Sequence, residues 1–480
     1  MRSILLILMP IVGSVVAALW PSNRTRPALL PIIGILHSLL TLSLFFDPPN
    51  VVLEDWLGFD ALARAVLPVV SLLYLVCSFY GFTYLRVRDE RPNRVFVTSM
   101  LAVVGMMSAG LQARHLGILW IATEAVTLAA GPMIHFNGNA RSIEATWKYL
   151  VVGGTGIALS LLGTFCLGYA SLHGGGDGNL TFVALMQQGA GLSHSWVFIA
   201  WVLLLVGYGT KLGLAPMHTW KPDAYGEAPA IVGAMLAGGV TTVAFTAILR
   251  VRAVVGAAGA SAIADQCLLA IGLFSMLVAA LFLLATRDYK RVLAYSSIEH
   301  MGILTVGAAL GPAGVAAALF HVWSNSLTKG AMFMSAGNIR RAAGSASMDE
   351  VRGMVVRAPY SVAIFVAGMF AVTASPPFGP FFSELRIVRA GFAGGHGTAV
   401  AVFLGCLLLA FLGFTRVVFP IVDGRPSKIV KESGKRFVET AGIIIPPLLL
   451  LCLSLWLGLF TPTVLQDAWS AAVAQLFPKS

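Results

Sequence analysis

Apolar residues run through this chain in long, nearly uninterrupted blocks separated by short polar stretches. A helix needs about 20 predominantly apolar residues to span a bilayer. Blocks of that length fall at roughly 3–20, 28–46, 61–85, 94–113, 115–135, 147–171, 196–226, 229–250, 265–286, 291–310, 313–338, 357–390, 398–421 and 439–460. The pattern predicts an all-α polytopic membrane protein with about 14 transmembrane helices.

Two of these spans are interrupted. In the seventh, the uncharged run WVFIAWVLLLV from Trp196 leads into Lys211, and Pro216 follows within GYGTKLGLAPMHTWKPDAYGEAP (207–229). Proline removes a backbone donor and clashes one turn back, so the helix is expected to break there. The twelfth span breaks at SPPFGPFFSELRIV, where Pro376 and Pro377 interrupt the apolar run ahead of Glu384. Irregular backbone at membrane depth is tolerated only inside protein or along a wet cavity. Interrupted spans in corresponding places point to an internal repeat. Five spans separate the two breaks, an odd offset that turns the second unit upside down. The expected organisation is helices 1–3 over residues 1–93, a first repeat of helices 4–8 over 94–252, an inverted second repeat of helices 9–13 over 264–421, and helix 14 with a tail over 422–480.

Loop charge gives the orientation. Odd-numbered loops hold Arg24 and Arg26; Arg86, Arg88, Arg91 and Arg94; Arg141; Arg287, Lys290 and Arg291; Arg340, Arg341, Arg352 and Arg357; and Arg425, Lys428, Lys431, Lys435 and Arg436. Even loops hold little beyond Arg114, Arg252 and Arg389, and Ser171–Ser195 reads as an external turn without basic residues. Basic residues favour the cytoplasmic side, so both termini are expected outside.

Composition agrees: 58% of the 480 residues are hydrophobic and 11% charged. The net charge of +11 sits in short loops, which orients membrane helices and argues against a nucleic-acid partner. The five cysteines stand singly in apolar runs, with no ligand spacing for zinc or iron–sulfur. No phosphate loop or nucleophile triad stands out. No catalytic, metal or cofactor-binding residue is expected, and no cofactor.

Ionisable residues inside spans are costly and mark ion pathways. Glu124 lies in WIATEAVTLAAG of helix 5, and Glu144 and Lys148 open helix 6, four residues apart. Lys211 and His218 flank the break in helix 7, Glu299 and His300 lie in helix 10, and Glu384 lies in helix 12. His321, Asn325 and Lys329 recur every four residues, one stripe of helix 11. Burial favours the neutral form of lysine or glutamate, and an opposite charge nearby favours the charged form. A Glu–Lys pair can therefore switch, which suits a proton relay. The bland readings are an interfacial salt bridge for Glu144–Lys148 and carbonyl-bonded core histidines for His300 and His321.

Together, Glu124, the Lys211 break with HTWKPDA after it, AYSSIEHMG, HxxxNxxxK and PPFGPFFSE resemble the antiporter-like subunits of respiratory complex I, Mrp-type cation/proton antiporters and membrane-bound hydrogenases. EATWKYLVVGGTGIALSLLGTF and SSIEHMGIL are most similar to the F-type subunit of hydrogenase-4. The resemblance implies a fourteen-helix fold, two inverted five-helix repeats, a place in a bacterial or archaeal cell membrane, and proton translocation coupled to redox chemistry in partner subunits. The sequence departs from the family at helix 8, where Thr242 stands near the usual lysine, and at Asn325, where a second histidine is usual. The relay must then leave Lys211 by water or by another route towards His300, His321 and Lys329.

The expected function is a proton-translocating membrane subunit of a hydrogenase-like or complex I-like redox complex. Its partners would be other membrane subunits, a cytoplasmic catalytic arm, the lipid bilayer and protons. Alternative readings are an energy-coupling subunit for inorganic-carbon uptake, a subunit exchanging Na+ or K+ for protons, and a scaffold that has lost conduction. Lys211 is expected in the gap of helix 7, within salt-bridge or single-water distance of Glu124.

Overall fold

The computed structural model describes residues 1–48, 56–88, 90–424 and 437–478. The basic residues Arg425, Lys428, Lys431, Lys435 and Arg436 lie outside the described residues. The helices are α1 (Arg2–Leu19), α2 (Leu29–Phe46), α3 (Ala61–Val87), α4 (Arg94–Gln112), α5 (Leu116–Ile134), α6 (Ala140–His173), α7 (Phe182–Gln188), α8 (His194–Leu212), α9 (Trp220–Glu227), α10 (Ala230–Met235), α11 (Thr241–Ala257), α12 (Ser261–Ala285), α13 (Tyr289–Ala309), α14 (Gly311–Ala343), α15 (Pro359–Val372), α16 (Gly379–Ala393), α17 (Gly397–Val422), α18 (Ala441–Leu459) and α19 (Thr463–Leu476).

The protein is an all-α multi-pass membrane protein. Among the described residues, 11 helical stretches are long and apolar enough to cross a bilayer. α13 and α14 are not among them, although both are long enough. The polar residues they bury, Glu299 and His300 on one and His321, Asn325 and Lys329 on the other, lower their hydropathy.

Lipid tails are as apolar as leucine, so helices in a membrane associate through close packing of small residues. α6 and α8 illustrate this. A Cβ on Gly207 would lie 2.6 Å from the Gly156 carbonyl oxygen, so the two backbones touch where glycine leaves room. α12 and α13 meet in the same way, with a Cβ on Gly302 falling 2.7 Å from the Gly272 carbonyl oxygen. α10 and α11 are joined by a π-helical turn, Leu236–Val240, and this rod is buried along its whole apolar window. Thr242 Oγ1 and Ser326 Oγ both donate to the Gly238 carbonyl in that turn, each at 2.8 Å.

One charged pair ties the outer helices to the rod. Arg250 on α11 forks onto Asp60, the N-cap of α3, at 2.6 and 3.0 Å, and Gln475 of α19 donates to the same carboxylate at 2.8 Å. α19 falls in what sequence treats as a tail. It buries Leu465, Ala468 and Trp469, and the Trp469 ring stacks on Phe320 at 5.3 Å. The stretch read as an external turn, Ser171–Ser195, holds the short helix α7, capped by Thr181.

A buried row of lysines, glutamates and histidines

The first interrupted span is α8 followed by α9. The helix ends earlier than proline alone predicts. Gly213 takes φ +80°, a left-handed conformation that glycine adopts without penalty, so the break begins three residues before Pro216. Lys211 is accordingly in the last turn of α8, not in the gap. Side chains satisfy the freed backbone: Ser275 Oγ accepts from the Ala215 amide at 2.9 Å, and Trp220 Nε1 donates across the break to the Thr210 carbonyl at 2.9 Å.

The second interrupted span is α15 followed by α16. Between them Ala374 holds φ +52°, the one non-glycine residue with positive φ among those described. Ser375 N returns to the Phe370 carbonyl at 2.9 Å, and Glu384 follows within α16. Pro376 and Pro377 lie in this gap, as expected.

Lys211 is buried, its Nζ 5.0 Å from the Tyr149 ring centroid. A Cβ on Gly153 would lie 2.9 Å from that nitrogen, so α6 passes directly beside the ammonium. Glu124, half-buried on α5, acts on Lys211 electrostatically, yet its Oε2 and the lysine Nζ both lack a hydrogen-bond partner. No direct ion pair joins them.

Glu144 and Lys148 stand apart from this buried set. Lys148 Nζ contacts Glu144 and Asp223 at 2.7 Å each, and Arg291 reaches Asp223 at 2.9 Å. These four groups form a partly exposed network at the foot of α9. His218, inside the break, leaves Nδ1 unpaired and packs near Phe282 and Tyr295 at 6.4 and 6.5 Å between centroids. A cavity of about 670 Å³ lined by Arg141, Glu227, Phe282, Arg291 and Tyr295 lies alongside.

In the second half the predicted residues come together. Lys329 donates to Ser296 Oγ. His300 Nδ1 meets His321 Nε2 at 2.9 Å, His321 Nδ1 meets Ser383 Oγ at 2.8 Å, and His300 Nε2 meets the Val372 carbonyl at 3.2 Å. Glu299 is buried nearby on α13, and Glu384 is buried with neither carboxylate oxygen hydrogen-bonded. Asn325 is buried on the same stripe, with its Oδ1 unpaired.

This geometry sets the proton positions. Val372 offers only an acceptor, so His300 Nε2 must carry hydrogen. A neutral His300 then accepts at Nδ1 from His321 Nε2–H, and a neutral His321 accepts at Nδ1 from the Ser383 hydroxyl, whose one hydrogen also has the Pro380 carbonyl within reach at 2.9 Å. With both imidazoles neutral and all three contacts made, the hydrogen bonds run from Ser383 to His321 to His300 to Val372. One nitrogen from each histidine and a Glu384 oxygen gather within 4.8 Å of one another.

Sequence reasoning passed over one residue. Lys221 lies within the quoted HTWKPDA motif and is 0% exposed.

Residues 113–410 match the family model described as "NADH:quinone oxidoreductase/Mrp antiporter, TM", well over half the chain. The chain belongs to this family of antiporter-like membrane subunits. Within it, the chain is 32% identical to the hydrogenase-4 component F homolog of Methylacidiphilum infernorum, over 93% of this chain and 97% of that protein. It is 30% identical to the NADH-quinone oxidoreductase subunit N of Desulforudis audaxviator, over 87% and 85%. Among solved structures, a chain of an archaeal membrane-bound sulfane sulfur reductase superposes with TM-score 0.88 at 23% identity, covering 99% of this chain and 97% of that one. A chain of the Mrp complex from Dietzia sp. gives 0.87 at 20%, covering 99% and 97%. These two likenesses establish the antiporter-like fold. Such relatives are subunits of multi-subunit membrane complexes.

Proposed function

We propose that this chain is the proton-translocating membrane subunit of a hydrogenase-like or complex I-like redox complex. The observation that carries the reading is the buried row running from Lys211 through Lys329 to the directly hydrogen-bonded His300–His321–Ser383 chain. Charged groups at that depth are expensive unless they work, and this row alternates groups that take up and release a proton. Glu124 and Lys211 form the switch in the first half, and Glu299, Lys329 and Glu384 form its counterpart in the second. The surface network of Glu144, Lys148 and Asp223, with the cavity near His218, serves as the cytoplasmic intake.

Fourteen crossings follow by adding α13, α14 and the α15–α16 unit to the 11 apolar stretches. The two interrupted units, α8–α9 and α15–α16, then fall five crossings apart, in keeping with inverted repeats of helices 4–8 and 9–13. Arg88, Arg91, Lys290, Arg340 and Arg341, from three different odd loops, line one cavity of about 310 Å³. Their shared face supports an orientation with odd loops in the cytoplasm and both termini outside. The partners are further membrane subunits and a cytoplasmic catalytic arm, which co-purification of the intact complex identifies.

Lys211→Ala and Lys211→Arg test the reading. Guanidinium does not deprotonate in proteins, so both variants should abolish proton uptake by the complex in sealed vesicles at normal complex yield. Wild-type uptake in the Arg variant would refute the relay and favour a scaffold role.

A further inference from the structure

We propose that Lys221 carries the proton between the two halves, taking the place of an ionisable group on the α10–α11 rod. This rests on the proton-translocating reading above. The rod offers no such group beside the row: its nearest polar side chains, Thr241, Thr242 and Thr246, are hydroxyls that bond back to their own helix. Lys221 opens α9 immediately after the break and sits with its ammonium over two aromatic rings, 5.9 Å from the Trp220 centroid and 5.8 Å from that of Tyr225. Gly213 leaves the room it needs, since a Cβ there would lie 2.5 Å from the Lys221 Cδ and 2.9 Å from its Nζ. The glycine that ends α8 two residues after Lys211 therefore also seats Lys221.

A buried lysine kept for structure is expected to meet a carboxylate or several carbonyls. Lys290 shows that pattern, donating to the Gly226 and Ala228 carbonyls at 2.7 Å each. Lys221 has no ion pair among the described residues, and its hydrogen bond is a long one of 3.4 Å to Ser297 Oγ. The next residue back on α13, Ser296, holds Lys329 of the second half. Two consecutive serines thus present hydroxyls to two buried lysines, one from each interrupted-helix system. The transfer balances without electrons. Lys221 Nζ releases a proton to Ser297 Oγ, which passes its own through a bridging water and Ser296 to neutral Lys329. Neutral Lys221 then takes its next proton from the Lys211 side.

The test uses the intact complex in sealed vesicles, with Lys221→Met, Lys221→Arg and Lys221→His compared for proton uptake per turnover and for complex yield. The expected result is loss of this subunit's protons in Met and Arg, and reduced but measurable uptake in His, which can still exchange a proton. A structural cation predicts the opposite order, so wild-type uptake in Met or Arg overturns the proposal, as does a His variant as inactive as Arg. Should Met fail to assemble, the Arg and His variants decide between them. Loss in the Lys211 variants beside wild-type uptake in Lys221→Met removes this inference and leaves the general reading standing. Wild-type uptake at both positions removes both.

Discussion

His300 Nδ1 lies 2.9 Å from His321 Nε2, two imidazoles on neighbouring helices in direct hydrogen bond. With the Val372 carbonyl fixing one end, the neutral pair has a single hydrogen-bond order, and the Ser383 hydroxyl starts it. Ser383→Ala removes the donor to His321 Nδ1. Leaving that buried nitrogen unpaired costs about 1–3 kcal/mol, which an assembled complex tolerates, while proton uptake slows. Unchanged uptake in the alanine variant would mean that the Ser383 hydroxyl is not part of the pathway.

Glu384 is buried with both carboxylate oxygens unpartnered. Glu384→Gln keeps its shape and removes its ability to ionise. The expected outcome is loss of uptake with complex yield unchanged. A glutamine variant that pumps normally assigns Glu384 a packing role.

Gly153 leaves the Lys211 ammonium its space, 2.9 Å from where a Cβ would stand. The atom displaced by Gly153→Ala is the free end of a flexible chain, so stability should hardly change. Uptake should fall, because the ammonium is moved relative to Glu124. Equal uptake in Gly153→Ala and wild type would place the working position of the lysine elsewhere.

Arg250 and Asp60 test the frame rather than the pathway. Arg250→Met takes the counter-charge from the largely buried Asp60 carboxylate and leaves it only the Gln475 and Ala63 donors, a change that approaches the ~3–5 kcal/mol of a fully buried pair. Thermal unfolding of the purified complex should report a clear drop in Tm. The same substitution at Arg252, whose partner Asp265 is more exposed, should cost less. Equal shifts would show that burial of the carboxylate is not what sets the cost.

Much of this arrangement is legible in sequence because the bilayer enforces it. Apolar blocks gave the helices, and prolines marked both interruptions. The four-residue spacing of His321, Asn325 and Lys329 put them on one buried stripe, since a helix offers no other way to bring them together. The start of the first break was misjudged because Pro216 is conspicuous while Gly213 acts through a φ value that no letter displays. Lys221 was overlooked for a related reason. Next to Asp223 and beyond a proline it reads as loop, and only the fold turns it inward while Asp223 turns out to Lys148 and Arg291. α19 went unread because its apolar face covers α3 and α14 rather than spanning anything.

The glycine contact between α6 and α8 bears on how such a device can move. Gly207 brings the two backbones together four residues before Lys211, with only the small Ser160 and Thr210 side chains beside the contact. A lever that tilts α8 would have to open that seam. On the proposed relay, the stroke would therefore fall to the lysine's own four-carbon arm, swinging from a fixed mount, while the scaffold around it stays still from one cycle to the next.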